Sequence, residues 1–417
     1  MAYLAHTGTF DVENYGDLLF PLLLAKRLPG YEVRPVSPCG GNPVWSDCVS
    51  SAPLEGLLGS KCRGIIVGGG NIIHPNPSSL ARYRKCGADI RGYADLWIGA
   101  ALAAGKDVPV LWNACGVPRP IGTEFAEIAR EALLRTDYLS VRDELSRKYL
   151  QNICPDLEIA VVPDSAWDLP SLWTADELDS TFAALTGGTP GDCGRHVAIH
   201  LNRRYTKDVG DIALGAIIDG LCDALDARPI LVAIGPCHED DVFARAITPY
   251  LSREPIILDR PQSLRQVCAA ISRSDFYVGS SMHGYITAAA FGVPAVVVAR
   301  KMIKFSGAVH RAGAPETLVR SWKKVPGAVR RIDRDALSAT FLQSQKAASA
   351  ELTAHWSAIA SQIDRGSQME ATLWDPSALH AYRARFQDIC TRQKTAGKLP
   401  TRKRIGQGLK GLFGVKY

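Results

Sequence analysis

Short apolar runs recur along most of the chain, each separated from the next by an amphipathic stretch, and this restricts the fold more than any other feature. In the first half YLAHTGTF, YEVRPV, RGIIVGGG, DVPVLWNACG, DYLSVRD and IAVVPD read as strands, while residues 18–28, DLWIGAALAAG and TEFAEIAREALLR read as helices. Such alternation produces βαβ units and a parallel sheet. Residues 181–195, TFAALTGGTPGDCGR, are rich in glycine, threonine and proline and read as a linker. The pattern then restarts with HVAIHLNRR, RPILVAIGP, PIILDR, DFYVGSS and VPAVVVAR, with helical runs between them. The expected architecture is α/β: two Rossmann-like doubly wound domains, at 1–180 and 196–334, on either side of a central cleft. A long alanine-rich run predicts C-terminal helices over 335–390, a position from which helices commonly pack across both halves. A tail at 391–417 follows.

Composition narrows the class. Of 417 residues, 47% are hydrophobic and 22% charged, enough apolar content for full cores. No apolar run reaches the roughly 20 residues needed to span a bilayer, and the N-terminus lacks the basic and apolar regions of a secretory leader. The expectation is a cytoplasmic protein. Eleven cysteines without a Cys-x-x-Cys pair favour reduced thiols over a disulfide framework or a zinc site. The net charge of +6 is concentrated in the tail, where Arg392, Lys394, Lys398, Arg402, Lys403, Arg404, Lys410 and Lys416 stand without an acid. The rest of the chain is near neutral, which gives no sign of a nucleic-acid partner. In the tail, apolar residues 405, 409, 412 and 413 follow helical spacing among lysines and arginines. That pattern suits either a solvated end or peripheral attachment to an anionic membrane surface.

Ligands of open α/β sheets bind where strands end, so the informative motifs are those at strand exits. Asn14-Tyr15-Gly16-Asp17 follows the first strand; Asn14 or Asp17 caps the next helix, and Gly16 permits close backbone approach. Gly68-Gly69-Gly70-Asn71 ends the RGIIV strand, where backbone N–H groups can face an anion; its spacing is neither a Walker loop nor Gly-x-Gly-x-x-Gly. Arg142, in Ser140-Val141-Arg142-Asp143, either binds a carboxylate or phosphate or makes a surface ion pair with Asp143 or Glu144. Asp164, in Val162-Pro163-Asp164, either orients Arg142 or another cation or caps the segment after it. His283, in Gly279-Ser280-Ser281-Met282-His283-Gly284, opens a helix at a strand exit, one of nine histidines in the chain. Arg300, Lys301 and Lys304 follow the VPAVVVA strand and form either a phosphate clamp or a solvated loop.

Taken together and in this order, Asn-x-Gly-Asp, Gly-Gly-Gly-Asn, Ser-x-Arg-Asp, Pro-Asp, Gly-Ser-x-x-His, Phe-Gly-Val-Pro and a basic cluster resemble the polysaccharide pyruvyl transferase family over residues 14–304. The resemblance implies a GT-B-like fold and a transferase that moves the pyruvate group of phosphoenolpyruvate onto two nearby sugar hydroxyls. The products are a pyruvate ketal and phosphate. It implies no metal and no cofactor beyond phosphoenolpyruvate as donor substrate, with a glycan or lipid-linked saccharide as acceptor. By the same resemblance His283 is the general acid and Arg142 a donor-anion contact, and the basic residue after the Gly-Val-Pro strand maps first to Lys304 and otherwise to Arg300 or Lys301. Asn14, Gly16, Asp17, Gly69, Gly70, Asn71, Ser280 and Ser281 complete the expected donor site.

One departure stands out. The family often has arginine two places before the histidine, and here the residue is Ser281. Either another cation such as Arg203 or Lys304 supplies the charge, or the donor differs. Two other readings stay open: a glycosyltransferase whose nucleotide-sugar ribose is read by Glu239 or Asp240, and a non-catalytic sugar-binding protein.

Overall fold

The strands form where the short apolar runs predict them, and their order decides where ligands can sit. The computed structural model describes residues 3–300, 303–366 and 374–395. In the first half, β1 (Tyr3–Thr7) lies between β2 (Val33–Val36) and β3 (Cys62–Val67), and β4 (Val110–Trp112) lies outside β3, all parallel. A parallel pair, β5 (Ser140–Val141) and β6 (Ala160–Val161), continues from β4 through bridges at Leu111–Tyr138 and Cys115–Val141. The second half comprises β7 (His196–His200), β8 (Arg228–Val232), β9 (Ile256–Leu258), β10 (Phe276–Gly279), β11 (Ala295–Val298) and β12 (Leu318–Val319). These form a parallel sheet in the order β12-β11-β10-β7-β8-β9. The architecture is therefore the expected pair of Rossmann-like sheets.

Both faces of the second sheet are covered. Tyr277, Ala198 and Ile230 pack on one side with Leu264, Ala269 and Tyr285; Val278, Ile199 and Leu231 pack on the other with Leu214, Ile218 and Trp322. The first of these clusters continues into the first half through Tyr15, Phe20, Leu23 and Trp167, so the halves share a core. Strand order reverses between β1 and β3 in one sheet and between β7 and β10 in the other. At such a point the connections leave toward opposite faces and open a crevice.

Three local features differ from the sequence reading. The stretch 181–195, read as a linker, begins as helix: Ala175–Thr186 is held at its start by a Thr174–Glu177 capping box and stops at Gly187, φ 75°. The helix packs on Leu264–Ser272 of the second half, so only the residues after it connect freely. DLWIGAALAAG is a π turn at Asp95–Gly99 before the helix Ala100–Ala103. The expectation of reduced thiols throughout fails at one pair: Cys39 and Cys86 form a disulfide, their Cα atoms 5.9 Å apart across 47 residues of sequence. The other nine cysteines are free. Tertiary folding, not spacing, brought that pair together.

The helix Arg334–Gly366 spans both halves. Phe341 meets Tyr285 edge-on at 5.8 Å in the second. In the first, His355 contacts the Tyr138 hydroxyl at 3.0 Å, and Trp356 Nε1 donates to Asp168 at 3.1 Å. Asp168 also takes a two-point bond from Arg27, at 2.6 and 2.9 Å. The last described helix, Pro376–Thr395, lies on the first half through Arg383–Asp95 (2.7 Å) and Phe386 against Phe125. Among the described residues no helix is long and apolar enough to cross a membrane. Most of the basic tail, from residue 396 onward, lies outside the described residues, as do Lys301 and the Lys304 side chain.

Candidate functional site

Two helices, one from each half, begin at the switch points and aim their first turns at the same space. Tyr15–Arg27 follows β1, and Met282–Ala290 follows β10. The first N–H groups of a helix have no intrahelical partner, and their end of the dipole is positive. The Ser281 hydroxyl caps the second helix by accepting from Gly284 N at 3.2 Å. Tyr15 docks the first helix on the other half: its N–H donates to Ile234 O at 2.8 Å, and its hydroxyl lies 3.0 Å from Thr287 Oγ1. The two helix starts border a cavity of about 210 Å³. Asn14, Asp17, Asn71 and Tyr93 line it from the first half; His200, Asn202, Arg204, His238, Ser280, Ser281 and His283 line it from the second.

His283 sits at the junction. Its Nε2 lies 3.5 Å from Asp164 Oδ2, and its ring meets Phe20 edge-on at 5.5 Å. Gly16 is the glycine this packing requires: a Cβ there would stand 1.8 Å from His283 Nδ1. Asp164 also takes Arg142 Nη1 at 2.8 Å and Ala166 N at 3.1 Å. Burial alone would raise the Asp164 pKa, but the adjacent His283 and the Arg142 guanidinium hold it well below the usual carboxylate range. An anionic carboxylate is thus fixed behind the imidazole.

Several expected residues sit elsewhere. Arg142 does not line the cavity; its side chain is 6% exposed and bound to Asp164. Gly69 and Gly70 do not line it either. A Cβ at 69 would meet the Phe20 ring at 2.5 Å, and one at 70 would lie 2.9 Å from Asp17 Oδ1. Their small size lets the end of β3 press onto the first helix. Arg300 is exposed away from the cavity. Arg203 pairs with Asp211 and stacks 3.9 Å over Phe243, whereas its neighbour Arg204 lines the cavity and makes no ion pair among the described residues. Asp240, a candidate ribose contact, is fully engaged: Oδ2 accepts from His200 Nε2 (2.8 Å) and Gly235 N (3.0 Å), and Oδ1 from Asn202 Nδ2 (2.6 Å). Glu239 is exposed outside the cavity.

Tyr93, His200, Asn202, Arg204 and His238 are among the lining residues that sequence reading missed. His200, Asn202 and Arg204 stand at the exit of HVAIHLNRR, and the order β10-β7 would have singled out that exit as half of a switch point. His200 Nδ1 accepts from Ser280 N at 3.2 Å while Nε2 donates to Asp240, so this histidine ties the two strand ends together.

A profile of the polysaccharide pyruvyl transferases matches residues 14–301. The chain belongs to the polysaccharide pyruvyl transferase family. It is a transferase, and the matched span runs from the first helix start at Asn14 past Arg300, enclosing His283, Asp164 and Arg142. No curated protein matches the chain. Among solved structures, α,α-trehalose 6-phosphate synthase from Burkholderia multivorans is 11% identical with a TM-score of 0.48, over 88% of this chain and 99% of that one. The wall teichoic acid polymerase TagF is 13% identical with a TM-score of 0.48, over 87% of this chain and 88% of the other. The N-terminal domain of trehalose-6-phosphate phosphatase from Candida albicans is 9% identical with a TM-score of 0.46, over 87% and 99%.

Proposed function

We propose that the chain transfers the pyruvate group of phosphoenolpyruvate onto two hydroxyls of a glycan, forming a ketal and releasing phosphate. The observation that supports this most is the convergence of two helix N-termini and the unpaired Arg204 on one cavity beside His283. A donor carrying both a carboxylate and a phosphate needs that many positive ends. In the reaction C3 of the enol takes a proton, one acceptor oxygen attacks C2, the C2–O bond to phosphate breaks, and the second oxygen closes the ketal. Of the two hydroxyl protons, one balances the new methyl group and the other leaves on phosphate. His283 supplies or relays the proton, its Nε2 backed by Asp164 and its Nδ1 packed against Gly16.

Arg204 takes the place of the cation that Ser281 does not provide. Arg204→Ala is expected to raise the KM for phosphoenolpyruvate about 10–100-fold, the loss of a charged hydrogen bond. Arg203→Ala, which removes a residue already paired to Asp211, should leave it near wild type. Arg142 acts through Asp164 and is a positioning residue. Its Nη1 holds Asp164 at 2.8 Å while its Nε lies 3.9 Å from Asp143, and a single ammonium cannot span both, so Arg142→Lys should lower kcat about tenfold with little change in KM. A rise confined to KM would instead make Arg142 a donor contact. Phosphate release from phosphoenolpyruvate, measured with and without a panel of glycosides, tests the function. Thermal stabilisation by nucleotide sugars and none by phosphoenolpyruvate would overturn it.

A further inference from the structure

A second, larger cavity of about 660 Å³ is lined by residues next in sequence to those of the first, and lies within the range of roughly 300–1,000 Å³ typical of small-molecule sites. The wall between them is thin in sequence on both sides. Glu13 lines the larger cavity and Asn14 the smaller; Cys237 lines the larger and His238 the smaller. Cys237 N donates to Glu13 O at 3.2 Å, so the halves of the protein meet along that wall.

Both cavities carry two carboxylates and one guanidinium, and they differ in which of these is engaged. In the smaller, Asp17 accepts from Asn14 Nδ2 and Asp240 is bonded to His200, Asn202 and Gly235 N, while Arg204 makes no ion pair among the described residues. The larger is bordered by Asp11, Glu13 and Arg82, with Asn42 and the apolar Val12 and Leu80 between them. Asp11 is occupied by Tyr83 OH (2.9 Å) and Cys39 N (2.8 Å) and is ion-paired with Arg82 Nε at 3.9 Å, and Arg82 also donates to Gly40 O at 2.5 Å. Glu13 is exposed and has no side-chain partner among the described residues, and Asn42 is exposed beside it. The Glu13 carboxylate disfavours a phosphate or carboxylate ligand here. A carboxylate, an amide and apolar side chains around one hollow suit the hydroxyls and the C–H face of an uncharged sugar.

We infer that this cavity is the acceptor subsite, binding a neutral glycosyl unit through Glu13 and Asn42 and presenting its hydroxyls across the Glu13–Cys237 wall to the His283 cavity. The inference rests on the transferase reading for what becomes of the sugar, and on the cavity alone for its binding.

The experiment uses the full chain in saturating inorganic phosphate, which occupies the anion-binding cavity beside His283, and saturation-transfer NMR with the methyl glycosides of glucose, galactose and mannose, each at millimolar concentration, and with glucose 6-phosphate. At least one methyl glycoside should receive saturation, and glucose 6-phosphate should receive less than methyl glucoside. In Glu13→Gln/Asn42→Ala the apparent Kd should rise at least about tenfold, as expected for two lost polar contacts. Thermal stabilisation by phosphoenolpyruvate should stay as in wild type. No transfer to any glycoside in the wild type, equal transfer in the variant, or preferential transfer to the phosphorylated sugar would each overturn the subsite. Glycoside binding without any response to phosphoenolpyruvate would leave the subsite standing and remove the donor assignment.

Discussion

His283→Ala is expected to lower kcat for phosphoenolpyruvate-dependent transfer about 10²–10⁴-fold, the usual contribution of a positioned acid or base. The melting temperature should barely move. The ring leaves no tight hydrogen bond behind it: Nε2 stands 3.5 Å from Asp164, and Asp164 keeps Arg142 at 2.8 Å and Ala166 N at 3.1 Å. Gly16→Ala tests the same ring from the other side. Its Cβ would need the space 1.8 Å from Nδ1, so the imidazole must swing away or the first helix must shift. Turnover should fall in this variant too, while His283 itself is retained. A phosphate-release assay beside a circular-dichroism melt reads both quantities. Activity close to wild type in His283→Ala would defeat the assignment.

Strand ends were legible because a buried parallel strand is a short apolar run with nothing local to hide it. RGIIV and VPAVVVA show this. The same reading placed Asn14, Asp17, Asn71, Ser280, Ser281 and His283 at strand exits, and the structure brings all six to one cavity. The partners of buried charge were legible only in part. Asp164 was one of the partners open to Arg142 beside Asp143 and Glu144, and it is the close one, 22 residues on, because β5 and β6 are neighbours and their ends lie side by side. Arg203 and Arg204 are adjacent and identical in type. What separates them is Asp211 and Phe243, which claim the first and leave the second to the cavity. The triple glycine advertised an anion loop, but Phe20 and Asp17 pressing from the first helix account for Gly69 and Gly70. In each case local composition marked a position at a strand exit, and long-range packing decided what it does there.

Acid should unfold this protein earlier than its carboxylates alone require. Burial lowers His6 and His355 from about 6.5 to about 4. His74, less deeply set, moves the same way through burial and the nearby Arg119. His6 Nε2 donates to Gly68 O beside the β3 exit. His355 lies between the Tyr138 hydroxyl and Asn113 Oδ1, where the long helix crosses the first half. Each ring binds its proton more weakly folded than unfolded. Above about pH 6.5 neither state is protonated and the contribution is complete. As pH falls below that value the unfolded chain takes up protons the folded rings refuse, and stability drops until about pH 4, where the folded rings also protonate and the slope ends. A displacement of this size is worth about 3 kcal/mol per fully buried ring, as an upper value. Two such rings amount to a large part of a typical folding free energy of about 5–15 kcal/mol. Asp164 acts in the same direction but in a lower window, because its depressed pKa removes stability only as pH falls below about 4. Urea unfolding at pH 7.5, 6.0, 5.0 and 4.5 should therefore show a steady loss. His355→Gln, less stable than wild type at pH 7.5, should close the gap by up to about 3 kcal/mol as pH approaches 4.5, since glutamine has no proton to gain. A wild-type stability that stays level from pH 7.5 to 4.5, or a gap that does not narrow, would mean that these rings are not held neutral in the folded chain.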